Sequence, residues 1–284
     1  MKNLTIVVID SLNYDATVMA LDYTKKIFPQ AKVLIVSDKE FYPCYRFHKV
    51  EKFDGAEHSR ICLHEVGDLV DTDYALFIQY DGFPTQPDCW TDEFLEYDYV
   101  GAPWLKNDEW RVGNGGFSLR SKKLLMLTKN LEQVWDGDVG YLEDQVICVS
   151  GRAYLESHGI KFAPIDLARQ FSMTEPIIYH RSFGFHGHAM IPEYLGKEET
   201  LRWLDAIDNN FSVIHRNLYT MPYHLWAWGE LDRLRNFMIK ANTVHPGYNE
   251  AAWNECRWRI GLAHPEVDQW EMQKMIFVYG YMGP

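Results

Sequence analysis

Three short apolar runs, each closing on polar residues, constrain this chain more than any other feature. Leu4-Thr5-Ile6-Val7-Val8-Ile9 ends in Asp10-Ser11, Lys32-Val33-Leu34-Ile35-Val36 in Ser37-Asp38, and Tyr74-Ala75-Leu76-Phe77-Ile78-Gln79 in Tyr80-Asp81-Gly82. Apolar runs without alternation predict strands buried on both faces. A helical stretch from Tyr14 to Ile27, stopped by Pro29, separates the first two. Residues 56–70 read as a second helix, with Ile61, Leu63, Val66 and Leu69 as core positions. Strand–helix–strand repetition predicts an α/β fold with a mostly parallel sheet, whose ligands bind beyond the carboxyl ends of the strands.

The middle of the chain is broken by Pro84, Pro87, Pro103 and the glycine-rich Gly113-Asn114-Gly115-Gly116. Helical patterns return over Tyr141 to His158, Leu225 to Ile239 and Tyr248 to Ile260. We expect an α/β domain over residues 1–200. A helical extension over 201–284, carrying Trp203, Trp226, Trp228, Trp253, Trp258 and Trp270, is expected to pack on it. With 28 basic against 40 acidic residues the net charge is −12, which argues against non-specific nucleic-acid binding. Five scattered cysteines without a Cys-x-x-Cys pair disfavour a disulfide scaffold or zinc module. Met1-Lys2-Asn3 opens without a signal-peptide pattern, and no apolar run reaches the roughly 20 residues of a membrane span. The expectation is a soluble, cytoplasmic protein.

Common signatures fail letter by letter. There is no Walker A loop, no Gly-x-Ser-x-Gly elbow, and no second histidine after His64-Glu65. Gly113-Asn114-Gly115-Gly116-Phe117-Ser118 ends in Ser and lies mid-chain, so the dinucleotide fingerprint is not met. What remains is a set of carboxylates and histidines. Asp81 follows a buried strand, where a carboxylate suits Mg2+ or Mn2+ but also simply caps a turn. Glu143-Asp144 opens a helix, as dipole-favoured acids or as a general base. His180, His186 and His188 cluster among glycines, as metal ligands or as turn histidines.

The order of these pieces resembles the GT-A glycosyltransferases. The likeness is to the glycosyltransferase-like domains with a Gln-x-Asp strand end, a Tyr-Asp-Tyr-x-Gly-Ala-Pro-Trp segment and a Gly-Asn-Gly-Gly-x-Ser-Leu-Arg loop. Here these read Gln79-Tyr80-Asp81, then Tyr97 to Trp104, then Gly113 to Arg120, followed by Glu143-Asp144 and Phe185-His186-Gly187. The resemblance covers residues 3–190. It implies a nucleotide-sugar-binding catalytic domain over 1–200 and a metal-dependent, inverting glycosyltransferase.

By that resemblance Asp81 holds Mn2+ or Mg2+ on the donor diphosphate, with His186 completing the metal shell and His188 as fallback. Asp144 is the base, Glu143 the lesser choice. Asp10, Ser11 and Asp38 line the nucleotide pocket. Gln79, in place of the family's first Asp, hydrogen-bonds the ribose, and Asn114, Gly115 and Gly116 lie beside the sugar. The donor is expected to be a UDP-sugar; the acceptor is a glycan, a lipid-linked sugar, a protein or a modified nucleobase. Two other readings stay open: a nucleotidyltransferase or metal phosphohydrolase using the same Asp81, and a non-catalytic GT-A-like binding module.

Overall fold

The computed structural model describes residues 3–53, 55–106, 109–132, 142–174, 181–207 and 218–244, with single helical positions at Tyr248, Ala252, Asn254 and Cys256. The chain forms two compact units, Met1–Met190 and Ile191–Pro284.

The strands of the first unit begin with β1 (Leu4–Ile9), β2 (Lys32–Ser37), β3 (Arg46–Lys49), β4 (Tyr74–Ile78) and β5 (Gly82–Pro84). They continue with β6 (Tyr99–Gly101), β7 (Pro103–Lys106), β8 (Glu109–Val112), β9 (Ser118–Ser121), β10 (Ser172–Met173) and β11 (Gly184–His186). Six of them form one sheet in the order β3-β2-β1-β4-β9-β6. The first four run parallel, and β9 is antiparallel to both β4 and β6. The fold is therefore the expected α/β class with a mostly parallel central sheet. Since β1 has β2 on one side and β4 on the other, the strand order reverses beside β1. Such a switch point opens a crevice at the carboxyl ends of the two strands.

Both faces of the sheet are buried, as the unbroken apolar runs require. Val7, Ile9, Leu34, Val36, Ala75 and Phe77 pack on one face with Ile61, Cys62, Val66 and Leu125. The alternate residues Ile6, Val8, Val33, Ile35, Leu76 and Ile78 are buried as well. The helices are α1 (Tyr14–Ile27), α2 (Gly55–His64), α3 (Val66–Leu69), α4 (Lys122–Thr128), α5 (Glu143–Gln145), α6 (Arg152–Ser157) and α7 (Ile165–Phe171). The single helix expected over 56–70 is thus two, divided at Glu65. Ile61 and Val66 join one core cluster and Leu63 another, so α2 is buried on two sides. Leu69 is only partly buried against the core.

The helix expected from Tyr141 to His158 is also interrupted. Between α5 and α6 the chain makes one π-helical turn, Val146–Ser150, in which the Gly151 N–H reaches the Val146 carbonyl at 2.7 Å. Such turns often mark functional sites, and this one begins two residues after Asp144. Strand β11 pairs with β10 and β5, matching Gly184 with Pro84, Phe185 with Phe83 and His186 with Gly82. An aromatic cluster fixes this small sheet. Phe117 stacks on Phe171 at 4.7 Å and 11°, while Phe183 lies 5.1 Å from Trp90 and 5.8 Å from Phe171.

The second unit contains α8 (Ile191–Ile207), kinked at Gly196, then α9 (Met221–Ala227) and α10 (Leu231–Val244). The pattern over Leu225 to Ile239 is therefore two helices. Gly229, at φ 73°, closes α9 by donating its N–H to the Trp226 carbonyl at 2.9 Å. Trp203 is fully buried. Trp253, Trp258, Trp270 and most of the helix expected over Tyr248 to Ile260 lie outside the described residues. Among the described residues no helix is long and apolar enough to cross a membrane.

The aromatic cluster makes a stability prediction. Phe183→Ala should cost about 3–5 kcal/mol in urea unfolding, whereas Leu231→Ala, at a half-exposed position, should change stability by less than about 0.5 kcal/mol.

Candidate functional site

Strand β4 does not simply end. Gln79 and Gly82 exchange backbone hydrogen bonds of 2.9 and 3.0 Å, forming a two-residue hairpin with Tyr80 and Asp81 at its tip. Because β11 pairs His186 with Gly82, that histidine arrives beside the tip. Asp81 is only 5% exposed. Its Oδ1 lies 3.6 Å from His186 Nε2 and its Oδ2 3.5 Å from His188 Nε2. The buried Oδ1 has no hydrogen-bond partner among the described residues, a costly state for a carboxylate oxygen. Burial pushes His188 below its ordinary value and favours the neutral imidazole that a metal would need. The Tyr80 hydroxyl shares a 2.9 Å hydrogen bond with His188 Nε2. His186 Nε2 meets Gln79 Oε1 at 3.1 Å, and the Gln79 amide nitrogen stands 3.5 Å from His58 Nε2.

The glycine loop lies against this cluster. A Cβ on Gly116 would sit 2.0 Å from His186 Nε2 and 2.6 Å from Gln79 Oε1, and one on Gly115 would sit 2.0 Å from Glu143 Oε1. No side chain larger than hydrogen fits at either position. Asn114 adopts φ 54°, and its buried Oδ1 has no partner among the described residues. Strain and an orphan acceptor in one loop are features that a bound ligand can account for.

Beneath the loop, Arg120 is wholly buried. It donates to Glu143 Oε1 at 2.9 Å, to the Gly115 carbonyl at 3.2 Å and to Ser118 Oγ at 3.0 Å, with its guanidinium 4.0 Å from the Phe77 ring centroid. Burial alone would raise Glu143, but the charges of Arg120 and His58 and the Arg120 hydrogen bond hold it below the usual carboxylate range. Asp144 accepts the Gly115 N–H at 2.9 Å and the Gln145 N–H at 2.8 Å. Its carboxyl is pushed up to about 7, first by burial and then by the charge of Glu143.

The structure thus gathers Gln79, Asp81, Asn114, Gly115, Gly116, Glu143, Asp144, His186 and His188 around one loop and one hairpin. The strand-end residues Asp10, Ser11 and Asp38 have polar atoms engaged within the protein. Asp10 accepts from the backbone of Leu12 at 2.7 Å and of Asn13 at 3.0 Å and from the Thr17 hydroxyl. Its charge still acts on His58 and Tyr80. Ser11 is tied to the Phe53 backbone at 3.0 Å, and Asp38 accepts the Tyr14 hydroxyl at 2.7 Å. His180 lies outside the described residues.

Three residues of the site were not singled out from sequence: Arg120, His58 and Tyr80. The arginine that closes the segment Gly113 to Arg120 is the signal that could have flagged the first. One further group of described residues brings metal-ligating atoms within 4.8 Å of one another, His58, Cys62 and Glu143. Arg120 already supplies Glu143 with positive charge, and burial pushes the Cys62 thiol up. This trio is better described as a thiol and an imidazole beside a closed ion pair.

A family model described as a protein of unknown function (DUF5672) matches residues 49–186, which leaves out Asp10, Ser11, Asp38 and His188. Solved structures with a similar course of the chain include the galactosyltransferase LgtC in complex with donor and acceptor sugar analogues. It is 13% identical, with 72% of this chain and 95% of that chain covered and a TM-score of 0.42. The mannosyltransferase PcManGT from Pyrobaculum calidifontis, in complex with GDP-Man and Mn2+, is 9% identical over 98% of this chain and 85% of that one, with a TM-score of 0.40. The bifunctional IspDF from Campylobacter jejuni is 10% identical over 57% of this chain, with a TM-score of 0.37; the match spans 48% of IspDF. At these identities the likeness concerns the fold alone. A comparison with curated proteins gave no match.

The buried ion pair can be tested directly. Arg120→Leu leaves Glu143 buried without its partner and should cost about 3–5 kcal/mol in denaturant unfolding, much of it regained when Glu143→Leu is added. Equal costs from the two single changes that simply add in the double variant would contradict this pairing.

Proposed function

We propose that the crevice is the active site of a metal-dependent, inverting glycosyltransferase of GT-A type. It would take a nucleotide sugar, a UDP-sugar by preference, and transfer the sugar to an acceptor hydroxyl. The observation that carries the reading is the convergence of two unlike carboxylates on one glycine loop at the switch point. Asp81 has an orphan oxygen and two flanking imidazoles. Asp144 is held by the loop's own N–H with its proton affinity raised to about 7.

The two acids suit different roles. Asp81 and His186 would hold Mn2+ or Mg2+; His186, the more exposed histidine, would exchange its bond to Gln79 for this, with His188 behind. When bound, the ion supplies positive charge where the leaving diphosphate develops negative charge. Asp144 would accept the proton of the acceptor hydroxyl as that oxygen bonds to the anomeric carbon and the bond from carbon to diphosphate oxygen breaks. A carboxylate with affinity near neutral is a better proton acceptor than an ordinary one. Glu143 is committed to Arg120 and is not the base in this reading. Gly115 and Gly116 let the loop backbone approach the sugar, and Gln79, Asn114, Asp10, Ser11 and Asp38 are assigned to the donor side.

Nucleotides and nucleotide sugars, each with and without Mn2+, should be tested by thermal shift on wild type and Asp81→Ala. At a hundredfold excess over Kd, binding adds about 2.7 kcal/mol, roughly 5–10 °C for a chain of this size. The shift should need metal and vanish in Asp81→Ala. Turnover should release the nucleoside diphosphate; released pyrophosphate or phosphate would instead indicate a nucleotidyltransferase or a phosphohydrolase. Binding without any turnover would indicate a binding module.

Asp144 adds a pH prediction. Because the folded protein holds its proton up to about pH 7, the base is blocked below that pH, and kcat should rise as pH passes through it. Asp144→Asn should lower kcat by about 10²–10⁴-fold. Near-normal turnover in that variant would remove the inverting assignment.

A further inference from the structure

The first unit holds a second concavity, which the proposed reaction leaves unassigned. A cleft of about 610 Å³ is lined by Tyr97, Trp110, Arg111, Arg152, Phe162 and Ile165. Guanidinium groups lie on two of its rings: Arg152 is 4.3 Å from the centroid of Phe162, and Arg169 of α7 is 5.0 Å from that of Trp110. Trp110 remains 44% exposed, an unusual state for so large an apolar ring. Glu156 holds Arg152 at 2.8 Å and Asp166 lies 3.5 Å from Arg169, which limits the freedom of both long side chains. In a chain of net charge −12, the cleft thus presents guanidinium groups against its rings, with an acid beside Arg152 and beside Arg169.

The cleft adjoins the catalytic loop along the chain. Val112, another of its walls, immediately precedes Gly113, and Arg152, which opens α6, follows Asp144 by eight residues. We infer that this cleft is the acceptor site and that the acceptor is a carbohydrate chain bearing carboxylate or phosphate groups; the inference rests on the glycosyltransferase reading above. Aromatic rings offer flat apolar surface to sugar faces, and arginine forks match carboxylate or phosphate oxygens in paired hydrogen bonds. A neutral glycan would use the rings but not the guanidinium groups. A nucleic-acid acceptor would bring a polyphosphate backbone against a strongly acidic protein.

Calorimetric titration of the full chain tests this without donor or turnover. The probes are tetragalacturonate for carboxylate, a phosphorylated mannotetraose for phosphate, neutral maltotetraose, and an eight-nucleotide oligothymidylate. At least one acidic sugar should bind about tenfold or more tighter than maltotetraose, the preference fading as salt screens the arginines. Trp110→Ala and Arg152→Ala should each weaken that binding roughly tenfold, while the metal-dependent melting shift with nucleotide stays as in wild type. Equal binding of acidic and neutral sugars overturns the inference. So does oligothymidylate binding without sugar binding, or no sugar binding in a protein that shows the nucleotide shift. Acidic-sugar binding in a protein with no nucleotide shift keeps the cleft as a glycan site and removes the transferase reading.

Discussion

The ion pair between Arg120 and Glu143 is the interaction on which the site depends. A guanidinium with no solvent exposure is costly to bury unless its charge and donors are matched. Glu143 matches the charge, Ser118 and the Gly115 carbonyl take further donors, and Nη1 has no hydrogen-bond partner among the described residues. These bonds join β9, the glycine loop and the turn that carries Asp144 into one piece. The pair also sets chemistry. Because Arg120 keeps Glu143 ionised, a fixed negative charge stands beside Asp144 and adds to the burial that raises its proton affinity.

Strand pairing positions the other half. The tight return of the chain at Tyr80-Asp81 and the match of His186 with Gly82 place an imidazole against a carboxylate more than a hundred residues away in sequence. Phe117, Phe171 and Phe183 hold β11 in that register. Moving the strand by one residue would turn His186 to the opposite face of the small sheet. The glycine loop then closes over the junction, and only hydrogen fits where Gly116 meets His186 and Gln79.

Much of this was legible in the sequence. The unbroken apolar runs of β1, β2 and β4 announce strands buried on both faces, and their polar ends point to the crevice. Asp81 stands out by its place in the chain, whereas Asp144 and His186 were singled out from their neighbours by the resemblance to GT-A glycosyltransferases. Helix continuity was less legible. Periodicity alone does not show that α2 is buried on two sides, with Ile61 in one core cluster and Leu63 in another, nor that a π turn follows Asp144. Gly229, between two helical patterns, was a readable stop signal that the pattern over Leu225 to Ile239 masked. Arg120 closes the glycine-loop motif in sequence, but its role was hidden because it depends on Glu143, which is distant in sequence, and no local pattern joins them. Gln79 presents the same difficulty, since its amide is shared between His58 and His186.

The central claim is that Asp81 and His186 together form a cation site in the crevice. Pulsed electron paramagnetic resonance of the full chain loaded with Mn2+ and a nucleoside diphosphate reads this directly. The account predicts a nitrogen hyperfine coupling from imidazole in wild type, lost in His186→Gln, together with loss of the bound-metal signal in Asp81→Ala. Mn2+ that binds without nitrogen coupling, or that binds equally well after Asp81→Ala, would contradict it.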